Sequence, residues 1–215
     1  MYWSDSKGRF NTIYILGGRG VGKTSLLNIL LGKGYNENIS HSKIGITTSR
    51  YKYNNKELII QELTDDDNFS HTKILQNQLE EILLIIVVFS IDDEDSLEYA
   101  KSLILFIKSN ITYNLGIQII LFGNKYDSKK INDARIKVNQ IEAENYAADI
   151  DNCSYYELSC KTGLNIEIIE KLLNEINENS ISYNPKFMDK DDLNNVDSVK
   201  MNNNKASNSC LIFWN

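Results

Sequence analysis

Hydrophobic residues follow two alternating spacings along most of the chain. Short apolar runs typical of strands alternate with stretches whose apolar residues recur at helical spacing. The predicted strands are Thr12–Leu16, Arg50–Tyr53, Glu57–Leu63, Leu83–Phe89, Ile117–Phe122 and Tyr155–Leu158, and the predicted helices are Thr24–Leu31, a segment with Ser96, Leu97, Ala100, Leu103, Ile104 and Ile107 on one face, Ala134–Ala148 and Ile166–Ile176. This alternation predicts an α/β fold with a mainly parallel sheet covered on both faces. Asn54-Asn55 predicts a hairpin that adds one antiparallel edge.

Two further patterns set the predicted domain limits. The longest wholly apolar run, Ile82–Phe89, is far shorter than the roughly 20 residues that span a bilayer, and it is typical of a buried strand. The first ten residues lack an apolar signal core, so we expect a soluble, cytoplasmic protein. After Asn179 the chain becomes rich in Asn, Asp, Lys and Ser. We therefore predict one domain over residues 10–179 and a polar, disordered tail over 180–215.

Composition excludes several classes of function. The chain has 23 basic and 29 acidic side chains, for a net charge of −6, which argues against a nucleic-acid-binding protein. The three cysteines Cys153, Cys160 and Cys210 have no metal-type spacing, so neither a disulfide framework nor a zinc site is expected.

The first chemical motif follows the first predicted strand. Residues Gly17–Thr24 read GGRGVGKT, which satisfies the phosphate-binding pattern G-x-x-x-x-G-K-[ST] between a strand and a helix. The glycines let backbone N–H groups turn inward around phosphates, and the helix N-terminus favours an anion. Lys23 is predicted to contact the β- and γ-phosphates, and the Thr24 hydroxyl to ligate Mg²⁺.

A second motif follows the predicted strand Ile117–Phe122. Asn124-Lys125-Tyr126-Asp127 falls at the same, carboxyl edge of the sheet as the phosphate-binding pattern. The Asp127 carboxylate can accept hydrogen bonds from both N1–H and the exocyclic amine of guanine, whereas adenine offers no such pair of donors. The aliphatic part of Lys125 can cover the face of the ring. Together the two motifs predict a guanine-nucleotide site.

These motifs resemble those of the Ras superfamily of small GTPases, and most closely its Rab branch, over roughly Phe10–Asn179. The segment Ser159-Cys160-Lys161-Thr162-Gly163 is similar to the family's loop beside the base, with Cys160 in place of alanine. Tyr35 falls where the family has an aromatic residue against guanine, and Ile86–Ser90 followed by Asp95-Ser96-Leu97 matches the Rab-like strand and helix start. The resemblance implies a six-stranded P-loop NTPase fold, GTP or GDP with Mg²⁺ as ligands, and two switch loops.

The predicted ligand contacts combine both sources. For the nucleotide they are Gly17, Gly20, Val21, Gly22, Lys23, Thr24, Ser25, Tyr35, Asn124, Lys125, Asp127, Ser159, Cys160 and Lys161, and for the metal Thr24, Ser42 and Glu62.

The second switch departs from the family pattern. Glu62–Asp67, which reads ELTDDD, aligns with the family's D-T-A-G-Q-E. Glu62 keeps the charge of the metal-associated aspartate but adds a methylene group. Asp65 replaces the glycine that contacts the γ-phosphate, and Asp66 stands where a glutamine orients the attacking water, which makes it a poor catalytic residue. Acids facing a triphosphate are electrostatically unfavourable, so we predict slow GTP hydrolysis.

Two other positions leave alternatives open. The metal-binding threonine of the first switch aligns with either Ser42, which can ligate Mg²⁺, or Lys43, which cannot. Arg19 either blocks an incoming arginine finger or acts as one in cis, and we favour blocking. The leading hypothesis is a slow regulatory GTPase in membrane traffic. The alternative is a pseudo-GTPase that holds nucleotide and presents a fixed surface.

The resemblance also implies partners. It implies effectors, an exchange factor and a GTPase-activating protein, acting on a monomer. Cys210 fits neither a C-a-a-X box nor a terminal cysteine pair, so standard prenylation is not supported. Peripheral association with an intracellular membrane stays open beside a purely cytoplasmic location.

Overall fold

The structure is a computed structural model that describes residues 12–39, 44–54, 56–64, 73, 75, 82–110, 117–128 and 136–182. The chain forms two compact units, Met1–Leu172 and Leu173–Asn215, and the sheet and the site lie in the first. The strands are β1 (Thr12–Gly17), β2 (Gly45–Tyr53), β3 (Lys56–Thr64), β4 (Ile82–Ser90), β5 (Ile119–Asn124) and β6 (Cys153–Glu157). The helices are α1 (Lys23–Leu30), α2 (Glu94–Asn110), α3 (Gln140–Ala148) and α4 (Glu167–Ser182).

The six strands form one sheet in the order β2-β3-β1-β4-β5-β6. All neighbouring strands are parallel except β2 and β3, which pair antiparallel at one edge. The predicted α/β P-loop fold, with a mainly parallel sheet and one antiparallel edge strand, is therefore confirmed. Because β1, β4, β5 and β6 are parallel, their carboxyl ends meet at one edge of the sheet.

The core is built on the central strands. Every residue of β1 is buried, and almost every residue of β4. Since successive side chains point to opposite faces, such continuous burial means that both faces of the sheet are covered. The predicted apolar face of α2 is confirmed, because its buried residues are Ser96, Leu97, Ala100, Leu103, Ile104 and Ile107.

Several predicted element boundaries were wrong. Strand β2 begins at Gly45 instead of Arg50 because pairing with β3 continues without a break from Tyr53 to Gly45. Helix α3 begins at Gln140 instead of Ala134, because the side chain of Asn139 accepts a hydrogen bond from Ile141 N and caps the helix. Strand β6 lies at Cys153–Glu157 instead of Tyr155–Leu158.

The last helix was predicted too short. It runs over Glu167–Ser182 instead of Ile166–Ile176 and so includes residues 180–182 of the predicted tail. Residues 183–215 lie outside the described part of the chain, and the division at 179 stays a prediction. None of the described helices is long and apolar enough to cross a membrane.

Candidate functional site

The phosphate loop, Gly17–Thr24, connects β1 to α1 by backbone conformations that only glycine adopts easily. Gly20 and Gly22 have φ angles of +78° and +101°. At Gly22 an added Cβ would lie 2.1 Å from Asn124 Nδ2. Glycine at this position therefore serves two purposes, because it permits the turn and it leaves room for Asn124.

Lys23 is held inside the phosphate loop. Its side chain is buried, and its Nζ donates a hydrogen bond to the carbonyl oxygen of Gly18 at 2.7 Å. Burial lowers the pKa of Lys23 to about 8, and the negative charge of Glu62 opposes that shift. A phosphate group bound in this loop would add negative charge beside the buried ammonium, which Glu62 offsets only in part.

Thr24 and Glu62 bring two oxygen ligands together beside Lys23. Thr24 Oγ1 donates to Glu62 Oε1 at 2.6 Å, and Glu62 is almost fully buried at the end of β3. The extra methylene of Glu62 therefore does not prevent its carboxylate from reaching the phosphate loop. Hydroxyl and carboxylate oxygens are the ligands that Mg²⁺ prefers, so these two residues fit the predicted metal.

The base loop, Asn124–Asp127, joins the phosphate loop to a third loop, Ser159–Gly163. Asn124 Nδ2 donates to the carbonyl oxygen of Val21 at 2.8 Å, and its Oδ1 accepts from Cys160 N at 3.1 Å. Asn124 is buried, so both bonds are made away from solvent. One side chain thus fixes the distance between the phosphate side and the base side.

Asp127 is oriented by the third loop. Ser159 Oγ donates to Asp127 Oδ1 at 2.6 Å and accepts from Thr162 N at 3.2 Å. Within the described part of the chain no other donor contacts this carboxylate, so its second oxygen can accept from a ligand. Cys160 is buried, and burial raises the pKa of its thiol to about 12, so the thiol is neutral like the alanine methyl that it replaces in the family pattern.

The three loops line one pocket of about 360 Å³. Among the predicted contacts, those in its wall are Gly20, Gly22, Lys23, Thr24, Ser25, Tyr35, Asn124, Lys125, Asp127, Cys160 and Lys161. Gly17, Val21, Ser159 and Glu62 are buried and are not among the residues that line the pocket. Ser42, Lys43, Asp65 and Asp66 lie outside the described residues, so the predictions about both switches stay predictions.

Gly17 has a role that the sequence did not indicate. Its φ is +137°, and an added Cβ would lie 2.1 Å from the carbonyl oxygen of Val88 on β4. Glycine is therefore required here by the close approach of two strands.

Four residues that the sequence did not predict line the same pocket: Asn36, Glu37, Ile39 and Ser128. Glu37 Oε1 lies 3.3 Å from Lys161 Nζ and joins the segment after α1 to the third loop. The hydrogen bond with Glu37 raises the pKa of Lys161. Tyr35 is 40% exposed at this side of the pocket, which leaves its ring available to a ligand.

The lowered pKa of Lys23 predicts a pH-dependent affinity for phosphates. Because the free site holds Lys23 with a pKa of about 8, a rise from pH 7.0 to 8.5 removes its proton and should weaken GDP binding by about fourfold. Titration calorimetry over this range measures the effect. The Lys23→Arg variant, whose guanidinium stays charged, is the control and should show no such dependence.

The same shift has a defined sign for stability. Between about pH 8 and 10.5 the unfolded chain holds the Lys23 proton and the folded chain does not. The contribution of Lys23 to the free energy of unfolding therefore rises with pH in this window. At pH values below the window, buried Lys23 destabilises the ligand-free fold. A contribution from Lys23 that fell with rising pH would contradict this assignment.

Comparisons with known proteins agree with this geometry. The model of the Ras family matches residues 12–178. The chain is 25% identical over 155 residues to ADP-ribosylation factor-like protein 8c of Arabidopsis thaliana, across 72% of this chain and 81% of that protein. It is 26% identical over 181 residues to GTP-binding protein REM 1 of Homo sapiens, across 80% of this chain and 58% of that protein. The second match therefore spans less than two thirds of the relative.

Proposed function

Because the chain belongs to the Ras family of small GTPases, we propose that it binds GDP and GTP and switches between these two states. The observation that carries the proposal is the single pocket lined by both Lys23 of the phosphate loop and Asp127 of the base loop. A phosphate chain would lie against the glycine-rich turn, and guanine would lie between Lys125, Asp127 and the third loop. Lys23 would hold the β- and γ-phosphates, and Asp127 would accept the two donors of guanine.

The proposed metal is Mg²⁺, held by Thr24 and Glu62 from the described residues, with Ser42 as the further predicted ligand. Bound Mg²⁺ supplies positive charge that offsets the charge of the phosphates. Thr24 would supply its hydroxyl oxygen for the metal, and Glu62 its buried carboxylate.

At a finer level, we propose that hydrolysis is slow. Asp65 and Asp66 would place negative charge near the γ-phosphate, and Asp66 would orient a water molecule poorly. Arg19, which is exposed in the phosphate loop, would occupy the space through which an activating arginine enters. The run of acids in Glu62–Asp67 also favours the second candidate function, a pseudo-GTPase that holds nucleotide and presents a fixed surface.

One experiment tests the binding function and separates the two candidates. First, the nucleotide that co-purifies with the chain is identified. Next, the affinities of the chain for GDP, GTP, ADP and ATP are measured with Mg²⁺. Single-turnover hydrolysis of GTP is then followed. We expect a guanine nucleotide to co-purify with the chain. We expect GTP to be hydrolysed slowly. A preference for adenine nucleotides would overturn the binding proposal, a rate equal to that of ordinary family members would overturn slow hydrolysis, and no hydrolysis would favour the pseudo-GTPase.

We further propose a role in membrane traffic, with effectors, an exchange factor and an activating protein as partners of a monomer. The support is the Rab-like sequence of Ile86–Ser90 and Asp95–Leu97. Fractionation of cells that express the tagged chain tests the location. Recovery of the chain only in fractions without membranes, with either nucleotide bound, would contradict this role.

A further inference from the structure

Asp92 lies beside Lys125 because the backbone makes the two residues neighbours. Ile91 N donates to the carbonyl oxygen of Asn124 at 3.0 Å, which joins the turn after β4 to the end of β5. Ile91 and Asn124 are thus joined by a backbone hydrogen bond. Asp92 is the next residue after Ile91, and Lys125 is the next residue after Asn124. Their proximity is therefore a property of the sheet edge and does not depend on a chance meeting of two long side chains.

The carboxylate of Asp92 is fixed by the turn that carries it. Ser90 Oγ donates to Asp92 Oδ1, and Asp93 N donates to the carbonyl oxygen of Ser90 at 3.0 Å. Ser96 Oγ in turn accepts from Ser90 N at 2.9 Å and ties the turn to the start of α2. Asp92 thus presents an acceptor whose position is set before any lysine approaches it.

Lys125 is fixed at both of its ends. Its backbone is in the left-handed region with a φ of +67°, and its Nζ lies 3.4 Å from Asp92 Oδ1. Lys125 is also one of the residues that line the pocket, and its aliphatic chain connects these two fixed points. The side chain of Lys125 is 39% exposed and that of Asp92 31%, so a ligand in the pocket can reach the aliphatic chain while the ion pair stays intact.

We propose that Asp92 is a positioning residue for purine binding. It holds the ammonium of Lys125 so that the aliphatic chain is already extended where a flat ring would pack against it. A free lysine side chain loses rotamer freedom when a ring covers it, and anchoring the ammonium in advance reduces that loss. This inference rests on the proposed function and adds a residue to it that belongs to neither sequence motif.

The contact would act on the ring face and not on the ring edge. Asp127 would discriminate by the donors on the edge of guanine, whereas Lys125 would cover a surface that all purines share. Loss of Asp92 should therefore weaken different purine nucleotides by the same factor. This separates its role from that of Asp127.

The test uses the full chain and two nucleotides, GDP and inosine diphosphate, which lacks the exocyclic amine. The Asp92→Asn variant should bind both about threefold to fivefold more weakly, as expected for loss of a partly exposed ion pair. The Glu94→Gln variant removes the same charge from an exposed residue in the first turn of α2 and is the matched control. It should bind both nucleotides like the unmodified chain.

Coupling to Lys125 decides between positioning and a general electrostatic effect. In a Lys125→Met background, Asp92→Asn should cause no further loss of affinity. The Asp92→Glu variant keeps the charge and should recover part of the affinity. High salt should reduce the difference between the unmodified chain and Asp92→Asn.

Three results would overturn the inference. The first is that Asp92→Asn and Glu94→Gln bind nucleotide with equal affinity, and the second is that Asp92→Asn causes its full loss of affinity in the Lys125→Met background. The third is that Asp92→Asn changes the ratio of the affinities for GDP and inosine diphosphate. Failure of the unmodified chain to bind GDP would instead overturn the proposed function. The two failures are therefore distinguishable.

Discussion

Replacing Asp127 by asparagine is expected to remove the preference for guanine. Ser159 already donates to one oxygen of this carboxylate, and no described residue donates to the other oxygen, which a ligand can therefore use. Hydrogen bonds to a charged group contribute about 1.5–3 kcal/mol each, so losing the carboxylate should weaken GDP binding on the order of 100-fold. Competition binding with GDP, ADP and xanthosine diphosphate measures the change.

Xanthosine diphosphate gives the sharper readout for Asp127→Asn. Xanthine has a carbonyl group where guanine has the exocyclic amine, so the amide of asparagine can donate to it. We expect affinity for xanthosine diphosphate to rise while affinity for GDP falls. Asp149→Asn, on an exposed residue that follows α3, removes the same charge and is the control. Equal losses for all nucleotides would show that Asp127 supports the loop without reading the base.

Gly22→Ala is expected to damage both the fold and the pocket. A Cβ at Gly22 would lie 2.1 Å from Asn124 Nδ2, and the φ of +101° is unfavourable for alanine. Strain at such a φ costs about 1–3 kcal/mol, and the displaced Asn124 adds to it. We expect the free energy of unfolding to fall by about 2 kcal/mol or more and GDP affinity to fall tenfold or more. Chemical denaturation and titration calorimetry measure the two effects.

Gly32→Ala separates backbone strain from the clash at Asn124. Gly32 has a φ of +70° and no atom within 4 Å of an added Cβ, so alanine there suffers the unfavourable φ alone. It should destabilise the fold less than Gly22→Ala and leave GDP affinity unchanged. Similar losses of affinity in both variants would contradict the specific role of the contact between Gly22 and Asn124.

The sequence predicted the parts of the site that lie in short, continuous motifs. Lys23 and Asp127 were identified because each belongs to a loop whose residues follow a strand in a fixed order. Their meeting at one edge followed from the parallel order of the strands. The buried face of α2 was predicted for a similar reason, since helical spacing is a local property of the chain.

The contacts of Asp92 and Glu37 could not be read in the same way. Each is a charged residue in a loop, and such residues are common at any protein surface. Their partners are far away in sequence: Asp92 pairs with Lys125 and Glu37 with Lys161. Only the order of the strands and the conformation of the loops bring these charges together, and no local pattern records that.

The boundary errors have equally physical causes. Residues 45–49 are mostly exposed, and Ile46 is the one large apolar residue among them, so alternation gave no signal for the start of β2, which is set by pairing with β3. The start of helix α3 does have a local sequence signal, but the predicted start was placed by the spacing of apolar residues instead. Asn139 followed three residues later by Glu142 is a recognised helix start, and its capping hydrogen bond to Ile141 N is present.

The two hydrogen bonds of Asn124 also bear on how strongly a bound ligand protects the protein from unfolding. Since this buried amide connects Val21 with Cys160, a ligand that occupies both sides would brace the molecule against opening at this edge. Such a ligand raises resistance to unfolding in proportion to the logarithm of its concentration. The abundance of the protein would then track the nucleotide supply of its surroundings, and starvation for that nucleotide would expose the chain to degradation.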